Sequence, residues 1–188
     1  MSILRQLGIS VAPAKIEFIA VPERVATNRV TRSMITCFVD GSCIGNGRRG
    51  AVAGYAAVFP DHPTFNVSER LSGMGQTNNR AEYTAFIRAC EQAALIDPTC
   101  EQEMVLYTDS KLLMDSVTKW LPNWKRNGFV KADKKQVLNQ DLLKRIDELI
   151  KTRRVRWNHV RAHTGRTDFA SIYNDQADKL AKLGAQKT

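Results

Sequence analysis

Four acidic residues stand at or near the ends of expected elements or on a sheet-facing helix side, where carboxylates can do chemistry. Asp40 ends the β-branched and aromatic run Ile35-Thr36-Cys37-Phe38-Val39 just before Gly41, and Asp109 ends the apolar run at 104–108. Glu82 shares a helical face with Ala85, Phe86, Ala89 and Ala93, so its side chain should point at the sheet. Asp178 falls near the start of the last helical pattern. Magnesium takes hard oxygen ligands, few per ion because it keeps its waters, and accepts phosphate oxygens in the remaining places. Four such carboxylates could hold two ions about 3.5–4 Å apart, which activate water on one side of a phosphodiester and stabilise the leaving oxygen on the other.

Each acid also has a plainer reading. Asp40 could initiate a turn, and Glu82 could be the N3 partner of a capping box with Asn79 as N-cap. Asp109 could cap the helix that begins near Ser110, and Asp178 could be a solvated first-turn acid favoured by the helix dipole.

The elements that must position these groups follow from periodicity. Strands are expected at 35–40, 51–59 and 65–71, then a helix that ends at Asp97-Pro98, then a strand at 104–108. Helices at 112–120 and 137–150, a strand at 155–160 and a helix at 175–185 complete the order βββαβααβα. An antiparallel meander followed by strands alternating with helices implies an α/β fold: a five-stranded mixed sheet flanked by helices. Asp109 would then lie at a strand's carboxyl end, where ligand clefts form.

The 188 residues suffice for one core, and the division expected is an N-terminal extension at 1–33 and a folded domain at 34–188. The extension carries five basic and two acidic residues, and its Arg-containing, acid-poor start reads as a weak mitochondrial presequence. Lys and Arg number 28 against 19 Asp and Glu, for a formal charge of +9, which suits a polyanionic partner. The four cysteines lack paired metal-ligand spacing and read as reduced thiols of an intracellular protein. No run approaches the roughly 18 apolar residues of a membrane span.

Between Lys119 and Lys135 six basic residues, Lys119, Lys125, Arg126, Lys131, Lys134 and Lys135, interleave with Trp120, Trp124 and Phe129, and only Asp133 opposes them within the stretch. This pattern fits a helix pair with aromatic core and solvated lysines as well as it fits a nucleic-acid grip.

Four segments taken together resemble the type 1 ribonuclease H family: Phe38-Val39-Asp40-Gly41-Ser42-Cys43, Thr77-Asn78-Asn79-Arg80-Ala81-Glu82, Leu106-Tyr107-Thr108-Asp109-Ser110 and Ala177-Asp178-Lys179-Leu180-Ala181. They occur in the family's order over about residues 34 to 186. The resemblance implies a ribonuclease H-like fold and endonucleolytic hydrolysis of the RNA strand of RNA·DNA hybrids, leaving 5′-phosphate. It places the metal ligands at Asp40, Glu82, Asp109 and Asp178, binding two Mg²⁺ with Mn²⁺ as an alternative. It also implies that His163 assists proton transfer or product release, work that suits a histidine's neutral-range pKa.

Further expectations concern the substrate. Cys43, Asn46, Asn78 and Asn79 are candidate contacts, the asparagines toward 2′-hydroxyls in a shallow minor groove. By the same resemblance Thr77 and Asn139 would complete a DNA phosphate site lined by Trp120, although Asn139 could equally be an N-cap of the helix that follows. The basic stretch resembles the family's basic protrusion. The expected partner is the hybrid, with no membrane and no obligate protein partner, in a monomer. The sequence departs from the family in three places: fifteen positions separate His163 from Asp178, about five more than usual, Asp175 stands where many relatives have Glu, and Gly75 stands where animal-type relatives have a phosphate-gripping arginine. The longer segment is expected to form a loop able to bring Arg166 and Tyr173 toward the hybrid. The rival expectation is a catalytically inactive hybrid-binding module of the same fold, against which the four intact carboxylates argue.

Overall fold

The computed structural model describes residues 33–162 and 164–188. The expected extension, Ser33 apart, and His163 lie outside the described residues. A five-stranded sheet carries the order β3-β2-β1-β4-β5, from β1 (Met34–Ile44), β2 (Val52–Val58), β3 (Val67–Arg70), β4 (Glu103–Thr108) and β5 (Val155–His159). The β1–β2 and β2–β3 pairs are antiparallel, and β1–β4 and β4–β5 are parallel. The mixed sheet expected from the element order is therefore present.

Strand β1 does not stop at Gly41. It pairs with β2 as far as Ile44↔Val52, whereas its pairing with β4 ends at Phe38↔Tyr107. Asp40 thus sits two residues past the point where the central strand loses one neighbour, which opens a gap at the carboxyl end of β4.

Odd-numbered residues of β1, Ile35, Cys37 and Val39, pack with Ala85, Phe86 and Ala89 of α1 (Asn78–Ile96) in the larger core cluster. Phe38 faces the other way, into a smaller cluster with Val58, Ala177, Tyr107 and Tyr173, under α5 (Phe169–Gln186). Two glycines set the layer spacing. A Cβ on Gly54 would lie 2.0 Å from the Ala185 nitrogen, and one on Gly41 would lie 2.3 Å from the Glu82 nitrogen, so only glycine lets each helix approach so closely.

Three boundaries differ from expectation. Helix α1 is capped by Thr77, whose Oγ1 accepts from the Arg80 nitrogen at 3.2 Å, so Asn79 is inside the helix and the Asn79–Glu82 capping box does not exist. The helix expected at 112–120 runs on as α2 (Lys111–Asp115), a π-turn (Ser116–Trp120) and α3 (Leu121–Arg126). Pro122 explains the interruption: it has no N–H to offer the preceding turn and its ring crowds the carbonyl four residues back, and Leu121 instead donates to Ser116, five residues back. Helix α4 (Gln140–Thr152) starts later than 137, because the Val137 nitrogen is committed to the Phe129 carbonyl at 2.8 Å.

The largest difference is α5, which begins at Phe169 and not at 175. Asp168 caps it, accepting from the Ser171 nitrogen at 3.1 Å, and Phe169 and Tyr173 pack against Phe38 at ring separations of 5.7 and 5.5 Å. The extra residues after position 163 are therefore partly an added helical turn. Tyr173 lies against the sheet and does not reach outward as expected, whereas Arg166 is exposed and pairs with Asp168 at 3.4 Å.

Candidate active site

The open end of β4 gathers the acids. Asp40, Glu82 and Asp109 each place a carboxylate oxygen within 4.8 Å of the other two. Asp40 comes from the centre of the sheet, Asp109 from the residue after β4, and Glu82 from the second turn of α1, which Gly41 admits to contact distance. Glu82 sits five residues after its cap and faces the sheet, so its burial is not a capping geometry.

Asp40 and Glu82 are both only 5% exposed. Burial first, then the charges of Asp109 and Asp178, push Asp40 up to about 8. Glu82 is raised well above the usual carboxylate range, by burial first and then by Asp40 and Asp109. Its Oε1 takes a 3.5 Å bond from Asn78 Nδ2, and its buried Oε2 has no hydrogen-bond partner. Buried like charges with an orphaned oxygen need either protons or a cation. An all-oxygen donor set of this kind fits a hard divalent cation.

Asp178 stands beside the group and outside the 4.8 Å set. It lies in the third turn of α5, not the first, so the helix-dipole reading does not apply; its Oδ2 accepts from Lys182 Nζ at 2.6 Å, and its charge reaches Asp40. Asn174, one turn earlier on the same helix, donates from Nδ2 to Asp109 Oδ2 at 3.1 Å. Asn174 is 2% exposed and its Oδ1 is unpartnered. His159 Nε2 lies 3.2 Å from the Asp109 carbonyl oxygen. Asn174, Lys182 and His159 did not emerge from the sequence. The signal was present in the i, i+4 spacing of Asn174, Asp178 and Lys182, but the helix was expected to start after Asn174.

A family model described as RNase H matches residues 32–186. The chain belongs to the RNase H family. It is 38% identical to a ribonuclease H of Schizosaccharomyces pombe over 80% of this chain and 52% of that protein. It is 40% identical to a ribonuclease H of Sodalis glossinidius over 82% of this chain and 86% of that one. The solution structure of the PFV RNase H domain superposes with a TM-score of 0.67 at 28% identity, covering 84% of this chain and 97% of that one. The chain spans about half the length of the S. pombe relative and of several mammalian ribonucleases H1. The type 1 ribonuclease H resemblance read from the four motifs is thereby upheld.

Five of the expected substrate residues of this RNase H family member line two clefts that share residues, and Cys43 and Asn78 line neither. Asn46, Thr77, Asn79 and Asn139 line a cleft of about 340 Å³ together with Gly47 and Leu138. Asn79 and Asn139 are shared with a second cleft of about 200 Å³ that adds Trp120, Trp124 and Lys131. Asn46 Oδ1 accepts from the Asn78 nitrogen at 3.1 Å, tying the β1–β2 turn to the start of α1, and Cys43 Sγ lies 3.5 Å from the Gln76 carbonyl oxygen.

The basic stretch is less free than it reads. Lys119 pairs with Asp115 at 2.6 Å and Lys125 with Asp147 at 2.7 Å, while Lys131 and Lys135 share Asp133. The aromatics divide: Phe129 is core, whereas Trp120 is 39% exposed with its ring 5.6 Å from that of Trp124.

Proposed function

We propose that this chain is an endonuclease that hydrolyses the RNA strand of RNA·DNA hybrids with two divalent ions, Mg²⁺ or Mn²⁺, leaving 5′-phosphate ends. The observation that carries the reading is the convergence of Asp40, Glu82 and Asp109, two of them buried and one with an orphaned oxygen, at the open end of β4. Membership of the RNase H family and relatives named ribonuclease H support it.

Asp40, Glu82, Asp109 and Asp178 are the ligands in this reading. Bound divalent ions would supply Lewis-acid stabilisation of developing phosphate charge and lower the pKa of a bound water. The chain's own part is to hold the carboxylates fixed and close together, in a setting that only a cation lets them occupy as a charged set. Asn174 orients Asp109, Asn78 holds one oxygen of Glu82, and Lys182 restrains Asp178. The clefts bounded by Thr77, Asn79, Asn139 and Trp120 position the DNA strand, and Asn46, Asn78, Asn79 and Cys43 face the RNA strand. His163 serves proton transfer or product release. The catalytic domain is residues 34–188, residues 1–33 are an appended extension, and the protein works as an intracellular monomer. No described helix is long and apolar enough to cross a membrane.

The test is cleavage of a labelled RNA·DNA hybrid beside double-stranded RNA and double-stranded DNA, with Mg²⁺ and with EDTA, using Asp109→Asn as control. Metal-dependent cutting of the hybrid's RNA alone, lost in Asp109→Asn while hybrid binding persists, is the expected result. Hybrid binding without cutting would replace the enzyme by an inactive binding module of the same fold.

A further inference from the structure

Asn139 occupies the N-cap position of α4 without doing a cap's work. Its backbone is left-handed, with φ 58° and ψ 34°, and its side chain makes no hydrogen bond to the helix. Asn139 Oδ1 instead accepts from Arg80 Nη1 at 3.3 Å. The same guanidinium grips Asp141 through two bonds, Nη1 to Oδ1 at 3.0 Å and Nη2 to Oδ2 at 2.7 Å. This fork is the planar geometry that arginine makes with a carboxylate, and it fixes the guanidinium against α4. Gly75 leaves the room for it, since a Cβ there would meet Arg80 Cδ at 3.1 Å.

The hydrogen-bond chemistry then decides which way the amide faces. A guanidinium has only donors, so the amide atom turned to Arg80 must be the oxygen. The Nδ2 group, with its two donors, is turned from Arg80. Asn139 lines both clefts, and neither has a carboxylate in its wall.

We propose that Arg80, locked by Asp141, is a positioning residue that holds the Asn139 amide with its donors toward the cleft, so that this wall selects an anionic oxygen, a phosphate of the DNA strand. The inference rests on the hybrid-binding reading above. Arg80 itself stays partly covered behind Asn139, with 23% of its side chain exposed, and acts through the amide. An exposed ion pair contributes little to stability, so the clamp's effect on binding is separable from any effect on folding.

The experiment is a double-mutant cycle with Arg80→Met, Asn139→Ala and the double variant. It is read as KM for hybrid cleavage and as hybrid Kd by anisotropy in EDTA across a salt series, with thermal melts to confirm folding. Each single variant should weaken binding about tenfold, the loss of one hydrogen bond to a charged group. The slope of log Kd against log salt should stay unchanged, because the amide is neutral and Arg80 is paired with Asp141. A slope lower by about one unit in Arg80→Met would mean that Arg80 meets the phosphate itself and would overturn the clamp. The double variant should bind no more weakly than Asn139→Ala alone. Additive losses would overturn the clamp, because Arg80 would then act on the phosphate directly or through the fold at large. Should Arg80→Met fail to fold, Asp141→Asn replaces it in the cycle, with the same two outcomes. Hybrid bound but uncut by the unmodified chain would sink the hydrolase reading and leave the clamp standing; additive losses in a cutting enzyme would do the reverse.

Discussion

Asp40 and Asp97 are both buried aspartates, at opposite ends of β4, and the fold treats them in opposite ways. Asp97 closes α1 and receives the Gln102 nitrogen at 2.9 Å, the Thr99 hydroxyl at 2.8 Å and Arg153 Nη1 at 2.8 Å. Both terminal nitrogens of Arg153 are also committed, donating to the carbonyl oxygens of Gln102, Ala93 and Asp97. Those bonds hold Asp97 down at about 2, the backbone bond from Gln102 being the largest cause. Asp40, buried and facing Asp109 and Asp178, with Lys182 bonded to Asp178 instead, is pushed up to about 8. A buried carboxylate whose lone pairs are all satisfied within the chain is a fastener. One left among its own kind is a socket for something not encoded in the chain.

The comparison can be broken most forcefully at Asp40. Asp40→Asn removes a candidate metal ligand, worth several kcal/mol of transition-state stabilisation, so cleavage should fall on the order of 10³-fold. The same variant relieves repulsion in the metal-free protein, so its melting temperature in EDTA should rise. A fall in both would mean that Asp40 is structural like Asp97. At the other end, Arg153→Met leaves Asp97 buried and unpaired. It should lose about 3–5 kcal/mol in denaturant unfolding, while the folded fraction keeps its turnover rate.

A smaller effect is expected where the socket borrows the fastener's logic. Asn174→Ala removes the one described side-chain donor to the Asp109 carboxylate and should cost roughly 10–100-fold in activity or metal affinity, with Asn174→Gln a partial rescue. Calorimetric metal titration beside kinetics separates the two.

The pH dependence sharpens the contrast further. Asp97 is lowered from 3.8 to about 2, so its contribution to stability is present above pH about 4 and is lost as pH falls through about 2. Asp40 is raised from 3.8 to about 8, so its contribution in metal-free protein is present below pH about 4 and is lost as pH rises through about 8. Thermal melts should therefore show Mg²⁺ stabilising the protein more at pH 8.5 than at pH 5. Equal stabilisation at both would place the ion elsewhere. The smallest effect belongs to exposed pairs: Lys119→Ala, which frees Asp115, should change unfolding free energy by about 0–1 kcal/mol.

Much of this was legible in residue order. The alternation that buries Cys37 and Val39, the helical face shared by Glu82, Ala85 and Phe86, and the apolar run ending at Asp109 are local patterns, and they single out three acids, although only Asp109 stands at an element's end. Less legible were features that depend on partners far along the chain. Thr77 caps the helix where Asn79 was the alternative, and because both residue types cap helices well their types alone do not choose between them. The turn that extends α5 back to Phe169 is held by Phe38, more than a hundred positions away, and that shift is what brings Asn174 to Asp109.

By itself the sequence determined which residues could carry the chemistry, the mixed α/β order of elements, and the motifs that resemble ribonuclease H. The reason is that side-chain periodicity, turn residues and ligand type are properties of neighbours in the chain. Tertiary structure alone decided which acids meet, that Asp40 and Glu82 face other carboxylates while Asp97 faces Arg153, and that Arg80 reaches Asn139 across 59 positions. Burial and hydrogen-bond satisfaction are properties of neighbours in space, and they separate a carboxylate that holds the fold from one that awaits a cation.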